Sequence, residues 1–197
     1  MARVSVATDN FNRANGAIGA NWTESGGGND GLNISSNQVA SANEGAYDNA
    51  MFWNANSFNN NQYSKCTLKT IGSGNYAGPI VRANASDFVN AQCREGDAPE
   101  VNLYWYNGGA YTNIATQTSF AWAADDVMIL DAEGSDFSFF VDDVEIIGGT
   151  NSSAPASGAC GLSMYTTTTR LDDWEGGNII AGTSVKDIIG GFIPFAR

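Results

Sequence analysis

Asp9-Asn10-Phe11-Asn12-Arg13 and Leu171-Asp172-Asp173-Trp174-Glu175-Gly176-Gly177-Asn178 are the two stretches that decide the fold. They stand near opposite ends of the chain and enclose a series of short segments in which apolar and polar residues alternate. Alternation with a period of two is typical of β-strands that bury one face. We therefore predict that the two stretches belong to the first and last strands of one β-sandwich.

Composition agrees with a single all-β domain. The 197 residues include 23 Gly, 5 Trp, 7 Tyr and 10 Phe, which favours short strands joined by turns. Nine basic and 21 acidic residues give a net charge of −12, which repels phosphate backbones and anionic membrane surfaces. No apolar run approaches the about 20 residues that a spanning helix needs. Neither nucleic acid nor membrane is expected as a partner.

Three internal segments follow the first motif in a consistent order. They are Ala77-Gly78-Pro79-Ile80-Val81-Arg82, Tyr104-Trp105-Tyr106-Asn107-Gly108-Gly109, and the hairpin from Phe137 to Ile146 with Asp142-Asp143 at its turn. With the two terminal motifs, this order resembles the concanavalin A-like lectin/glucanase superfamily, whose laminin-G-like jelly rolls occur in polysaccharide-active enzymes, bacterial surface proteins and phage virion proteins. The resemblance implies an antiparallel two-sheet jelly roll over residues 1–178.

Catalytic groups are scarce. The chain has no histidine, which removes Ser-His-Asp triads, Cys-His dyads and histidine metal sites. The resemblance implies carboxylate chemistry with a Glu-x-Asp-x-x-Glu pattern, and this pattern is absent. The nearest candidates are the pairs Asp131/Glu133, Asp143/Glu145 and Asp173/Glu175, all beside predicted turns. We predict no enzymatic activity and no catalytic residue.

Ligand binding has better candidates. The strand from Val101 to Tyr106 separates Val101, Leu103 and Trp105 from Asn102, Tyr104 and Tyr106. The second set forms an aromatic and polar face, which suits a sugar platform, a subunit contact or an ordinary solvent-facing strand. Trp53 lies in the segment from Asn43 to Gln62, which is rich in Asn and aromatic residues. Such a segment is either a recognition loop or a stretch whose aromatic residues pack at the sheet edge as a minor core. Trp53, Tyr104 and Tyr106 are therefore the candidate sugar-binding residues.

A structural calcium ion is the cofactor that the resemblance allows. If the terminal strands pair, Asp9 and Asp173 converge and backbone carbonyls complete the ligand shell. A purely hydrogen-bonding role for the two acids is the alternative. No other cofactor is expected.

Residues 179–197 form an apolar tail beyond the predicted sandwich. Its anchor candidates are Ile188, Ile189, Phe192, Ile193 and Phe195. Such a segment needs a partner surface, either its own sandwich or a neighbouring protein. A docking arm is the prediction.

The functional prediction combines these features. The start of the chain shows no signal peptide, and three cysteines without CxxC spacing indicate buried free thiols. Together with the resemblance and the tail, this suggests a phage virion accessory protein, a capsid decoration or fibre component. Such a protein would act by contact with other virion proteins or with copies of itself as a homo-oligomer, and would be extracellular after lysis. A carbohydrate-binding, lectin-like module and a glycan hydrolase are the alternatives.

Overall fold

The computed structural model describes residues 1–25, 31–43, 49–72, 76–95 and 99–181. These residues form sixteen β-strands. In chain order they are β1 (Ala2–Asp9), β2 (Gly16–Ala17), β3 (Trp22–Ser25), β4 (Leu32–Ser35), β5 (Gln38–Ser41), β6 (Asn49–Trp53), β7 (Gln62–Thr70), β8 (Tyr76–Ala83), β9 (Asp87–Arg94), β10 (Glu100–Asn107), β11 (Ala110–Thr118), β12 (Val127–Glu133), β13 (Asp136–Val141), β14 (Val144–Thr150), β15 (Ala159–Met164) and β16 (Arg170–Ile180). The described chain is all-β, as predicted.

The strands form two antiparallel sheets. The nine-stranded sheet has the order β14-β13-β12-β7-β16-β5-β4-β2, with β1 also paired to β16. The seven-stranded sheet has the order β11-β10-β9-β8-β15-β6-β3. The two motifs that decide the fold meet as predicted, because β1 and β16 pair from Ala2↔Ile180 to Asp9↔Trp174. The first and last strands thus lie side by side in the same sheet.

Strand β16 continues two residues beyond the predicted end of the sandwich. Ile179 is 5% exposed and packs with Tyr63 and Ile129 on the outer face of the nine-stranded sheet. Ile180 pairs with Ala2 in β1. The tail candidates Ile188, Ile189, Phe192, Ile193 and Phe195 lie outside the described residues, so the docking arm stays a prediction.

The core lies between the sheets and contains a cluster of three tryptophans. The Trp22 ring lies 4.7 Å from that of Trp174 and 5.5 Å from that of Trp53, and Trp53 stacks on Trp174 at 5.4 Å. Aromatic contacts of this geometry stabilise beyond the area they bury. The cluster joins β3 and β6 of one sheet to β16 of the other.

Two further predictions are confirmed. Cys66, Cys93 and Cys160 are all buried free thiols. Asp142 and Asp143 occupy the two central turn positions of the β13–β14 hairpin, with φ of 50° and 63°. Within the described ranges, the structure contains no helix that is long and apolar enough to cross a bilayer.

Candidate functional site

The outer face of the seven-stranded sheet carries aromatic and amide side chains on neighbouring strands. In β10, Val101 and Leu103 point into the inter-sheet core, as the alternation predicts. Tyr104 therefore lies on the opposite face. The register places Tyr104 beside Asn90 of β9 and Asn113 of β11. Consecutive hairpins from β8 to β11 thus bring residues distant in sequence onto one surface.

A cleft of about 310 Å³ opens on this face and is lined by Tyr76, Gln92, Tyr104 and Tyr111. We call it the tyrosine cleft. Its volume is at the lower end of the range of about 300–1,000 Å³ that ligand sites occupy. Three tyrosines offer flat apolar faces, and Gln92 adds an amide that can donate and accept hydrogen bonds.

Two of the three cleft tyrosines, Tyr104 and Tyr111, belong to a packed aromatic layer. Tyr104 meets Tyr111 edge-on at 5.7 Å, and Tyr111 contacts Tyr106 at 5.0 Å. Tyr106 stacks on Phe88 at 4.8 Å with an interplanar angle of 15°. Because these rings hold one another in place, the cleft is preorganised and a ligand would order few side chains on binding.

A hydrogen-bonded polar network crosses three strands next to the cleft. Arg94 donates to Glu100 at 3.0 Å, and Asn102 donates to the same Oε1 atom at 2.9 Å. The Thr116 hydroxyl donates to the side-chain Oδ1 of Asn102 at 2.8 Å, and Asn113 Nδ2 donates to the Thr116 hydroxyl at 2.8 Å. Such a network fixes the orientation of its donors and acceptors.

Of the three predicted sugar-binding residues, the structure brings one into the cleft. Tyr104 is half-buried and lines it. Tyr106 is on the predicted face but only 2% exposed, because Phe88 and Tyr111 cover its ring. It supports the cleft instead of presenting a sugar platform.

Trp53 does not reach this face. Its ring points between the sheets, where it packs against Trp22 and Trp174, and its Nε1 donates to Asn56 at 2.8 Å. It is 9% exposed. The candidate sugar platform at Trp53 is therefore corrected to a core position, since its ring packs against the two other tryptophans.

Asp9 and Asp173 both line a cavity of about 560 Å³ at the end of β1. The Asp9 carboxylate, however, accepts four N–H donors, from Arg13 twice, from Trp22 and from the Phe11 backbone. A carboxylate has about four lone-pair sites, so a cation would compete with these donors. Among the described residues, no group of three or more His, Cys, Asp or Glu could hold a metal ion. Calcium stays a prediction.

The acid pairs weighed as catalytic candidates lie on the other sheet. Asp131 accepts from Arg3 at 2.9 and 3.0 Å, and burial raises its pKa in spite of that ion pair. Glu175 accepts from Lys65 at 2.9 Å and from the Tyr63 hydroxyl. Burial opposes ionisation of Glu175, but these two partners outweigh it and hold its pKa below the usual value. Both acids are engaged in structural ion pairs.

Sequence reasoning missed Tyr76, Gln92 and Tyr111. For Tyr111 a signal exists, because the Asn107-Gly108-Gly109 turn pairs Asn107 with Ala110 and so places Tyr111 beside Tyr106. Tyr76 and Gln92 depend on the pairing of β8, β9 and β10, in which Tyr76 faces Arg94 and Gln92 faces Asn102. Two successive registers would have to be known to place them.

No family model matches the chain, and no curated protein is similar enough in sequence to match it. Solved structures do match in fold. The carbohydrate-binding module CBM66 from Bacillus subtilis has a TM-score of 0.61 and 18% identity, over 80% of this chain and 96% of that chain. The β-1,3-1,4-glucanase (lichenase) derived from a mouse hindgut metagenome has a TM-score of 0.60 and 11% identity, over 88% of this chain and 99% of that chain.

A third similar structure is larger. The GH43 BlXynB protein from Bacillus licheniformis has a TM-score of 0.64 and 9% identity over 87% of this chain, but the match spans only 39% of that protein. These likenesses establish the fold, which is the concanavalin A-like jelly-roll sandwich that the sequence motifs resembled.

The same comparisons correct the functional prediction. The similar structures include a carbohydrate-binding module and a lichenase, and they give no support to a phage structural role. The prediction of a virion accessory protein that acts by protein–protein contact is therefore wrong, and the findings favour its carbohydrate-binding alternative. The prediction rested on the family resemblance, the lack of an evident signal peptide and the apolar tail, and the fold behind that resemblance is a scaffold shared by proteins of unrelated function.

Proposed function

We propose that this chain is a carbohydrate-binding module whose ligand lies in the tyrosine cleft. The observation that carries the proposal is the pairing of flat aromatic faces with a fixed polar network on one surface. Tyr76, Tyr104 and Tyr111 can contact the apolar C–H face of a sugar ring. Gln92 within the cleft and the exposed Asn113 beside it can reach sugar hydroxyls, and the buried Asn102 holds the network that fixes Asn113.

Binding without hydrolysis is the form of the proposal that the side chains support best. Among the described residues, the lining of the tyrosine cleft includes no Asp or Glu. A retaining glycosidase needs two carboxyl groups about 5–5.5 Å apart at its scissile bond. The similarity in fold to a lichenase keeps hydrolysis as the competing function. A reducing-end assay on every bound polysaccharide distinguishes the two, and product lost on Glu175→Gln would support the hydrolase.

A glycan screen followed by calorimetric titration tests the proposal. Tyr104→Ala should weaken binding about tenfold or more, because a stacking face worth about 1.4 kcal/mol is lost. Tyr104→Phe keeps the ring and should retain most of the affinity. Phe140→Ala removes a matched half-buried ring from the outer face of the other sheet, beneath Arg3, and should leave binding unchanged. A blank screen, or equal losses in Tyr104→Ala and Phe140→Ala, would refute the proposal.

A further inference from the structure

Arg94 is the cation beside the tyrosine cleft, and its charge is already compensated. Its guanidinium lies over the Tyr76 ring, 5.6 Å from the centroid, and donates to Glu100 at 3.0 Å. Arg94 and Glu100 are also cross-strand partners in β9 and β10, so the backbone register holds them opposite one another. The pairing of β9 with β10 therefore fixes the position of this ion pair.

Glu100 is held in place by a second donor. Asn102 Nδ2 donates to the same Oε1 atom at 2.9 Å, and only 17% of the Glu100 side chain is exposed. Asn102 is in turn the cross-strand partner of Gln92, which lines the cleft. The Glu100 carboxylate therefore lies one cross-strand pair away from Gln92. At that position its charge acts at short range on a ligand in the cleft.

The net charge of the whole chain also disfavours anionic ligands. A net charge of −12 repels glycans that carry carboxylate or sulfate groups. A site for such glycans needs an uncompensated cation, and Arg94 is committed to Glu100. Sugar hydroxyls, by contrast, need only neutral donors and acceptors, which the cleft supplies.

We infer that the tyrosine cleft selects neutral glycans and that Glu100 is a specificity-determining residue that excludes anionic ones. This inference rests on the proposed carbohydrate-binding function. It assigns Glu100 a role through Arg94 and not through contact with the sugar. Replacing Glu100 by a neutral residue of the same size frees Arg94 to attract an anionic ligand.

The experiment compares neutral polysaccharides with charged derivatives of the same backbone. Suitable probes are xylan against glucuronoxylan, soluble cellulose oligosaccharides against carboxymethyl cellulose, and laminarin against sulfated laminarin. The wild-type chain should bind at least one neutral probe about tenfold more tightly than its charged partner. Glu100→Gln should raise affinity for the charged partner severalfold at low salt, with the gain fading as salt is added. The readout is the ratio of charged-probe affinity to neutral-probe affinity, which should rise severalfold in Glu100→Gln.

Two further variants separate a local effect from net charge and from damage to the fold. Asp136→Asn makes the same change in net charge on the other sheet, at an exposed acid that accepts a hydrogen bond from Thr150. It should change the affinity for neither the neutral probe nor the charged probe. Arg94→Gln leaves Glu100 without its cation and should weaken binding of charged probes further. The opposite signs expected for Glu100→Gln and Arg94→Gln cannot both come from unfolding.

The outcomes distinguish the two proposals. If charged probes bind the wild type as tightly as neutral ones and Tyr104→Ala abolishes both, the site is real and the inference of neutral selection is overturned. Equal effects of Glu100→Gln and Asp136→Asn would also overturn the inference. If no probe binds, or if Tyr104→Ala changes nothing, the proposed function itself fails.

Discussion

The Trp22 indole donates its Nε1–H to the Asp9 carboxylate at 2.9 Å, which ties the first motif of the chain to its tryptophan cluster. The same carboxylate also receives both terminal nitrogens of Arg13, at 2.7 and 2.8 Å. Only 8% of the Asp9 side chain is exposed. The buried Asp9 carboxylate therefore holds the end of β1, the Arg13 side chain and Trp22 together by hydrogen bonds.

Removing the Asp9 charge should destabilise the fold. Asp9→Ala leaves the Trp22 N–H and the Arg13 guanidinium without their acceptor, and we expect a loss of about 3 kcal/mol in the free energy of unfolding. Chemical denaturation measures it. Asp136→Asn, an exposed acid, serves as the control and should cost less than about 0.5 kcal/mol. Equal losses in the two variants would contradict this role for Asp9.

The same acid should make stability depend on pH. Burial alone would raise the pKa of Asp9, but the hydrogen bonds from Arg13, Trp22 and Phe11 outweigh burial and lower it. An acid with a lowered folded-state pKa stabilises above its unfolded value and loses this effect as pH falls. The stability difference between wild type and Asp9→Asn should be constant from about pH 7 to 5 and shrink below about pH 4. A difference that grows on acidification would contradict the assignment.

Gly161 in β15 should not tolerate a side chain. A Cβ atom there would lie 2.0 Å from the Met51 backbone oxygen, and backbone cannot move aside cheaply. Gly161→Ala should therefore cost about 3 kcal/mol. Gly148→Ala is the matched control, because its Cβ would first meet the flexible end of Glu145 at 3.0 Å. Thermal unfolding of both variants makes the comparison, and a Gly161→Ala variant as stable as the control would contradict the close approach of β15 and β6.

The three thiols should be unreactive in the folded protein. Cys66, Cys93 and Cys160 are buried, and burial raises the pKa of Cys93 to about 12 and those of the other two well above the usual value. Thiolate is the reactive form, so a colourimetric thiol reagent should modify none of them before unfolding and all three in denaturant. Rapid modification of any one in the native state would contradict their burial.

Much of the fold could be predicted because strand alternation and turn residues are local signals. The Asp142-Asp143 turn and the two faces of β10 follow from them directly.

Pro79 shows the limit of such signals. The Gly78-Pro79 step suggests an edge strand or a bulge, yet β8 is an interior strand between β15 and β9. Pro79 pairs with Leu162 of β15, and β8 keeps one register with β9 on both sides of the step, from Ala77↔Cys93 to Ile80↔Asn90.

The candidate site was only partly predictable for a related reason. Alternation shows which residues share a face, but not what covers that face. Tyr104 and Tyr106 both point outward, and only tertiary packing by Phe88 and Tyr111 decides that one lines a cleft and the other is buried. For Trp53 the sequence left a recognition loop and a minor core as alternatives, because an aromatic residue in a polar segment carries no local sign of which way it turns, and the structure places it in the core.

The most direct test of the account is a nuclear magnetic resonance titration of the isotope-labelled chain with the tightest glycan from the screen. The largest shifts should belong to the cleft residues Tyr76, Gln92, Tyr104 and Tyr111 and to their strand neighbours. Shifts centred instead on Lys65, Glu175 and the cavity beside Asp9, on the other sheet, would contradict the tyrosine cleft as the carbohydrate site.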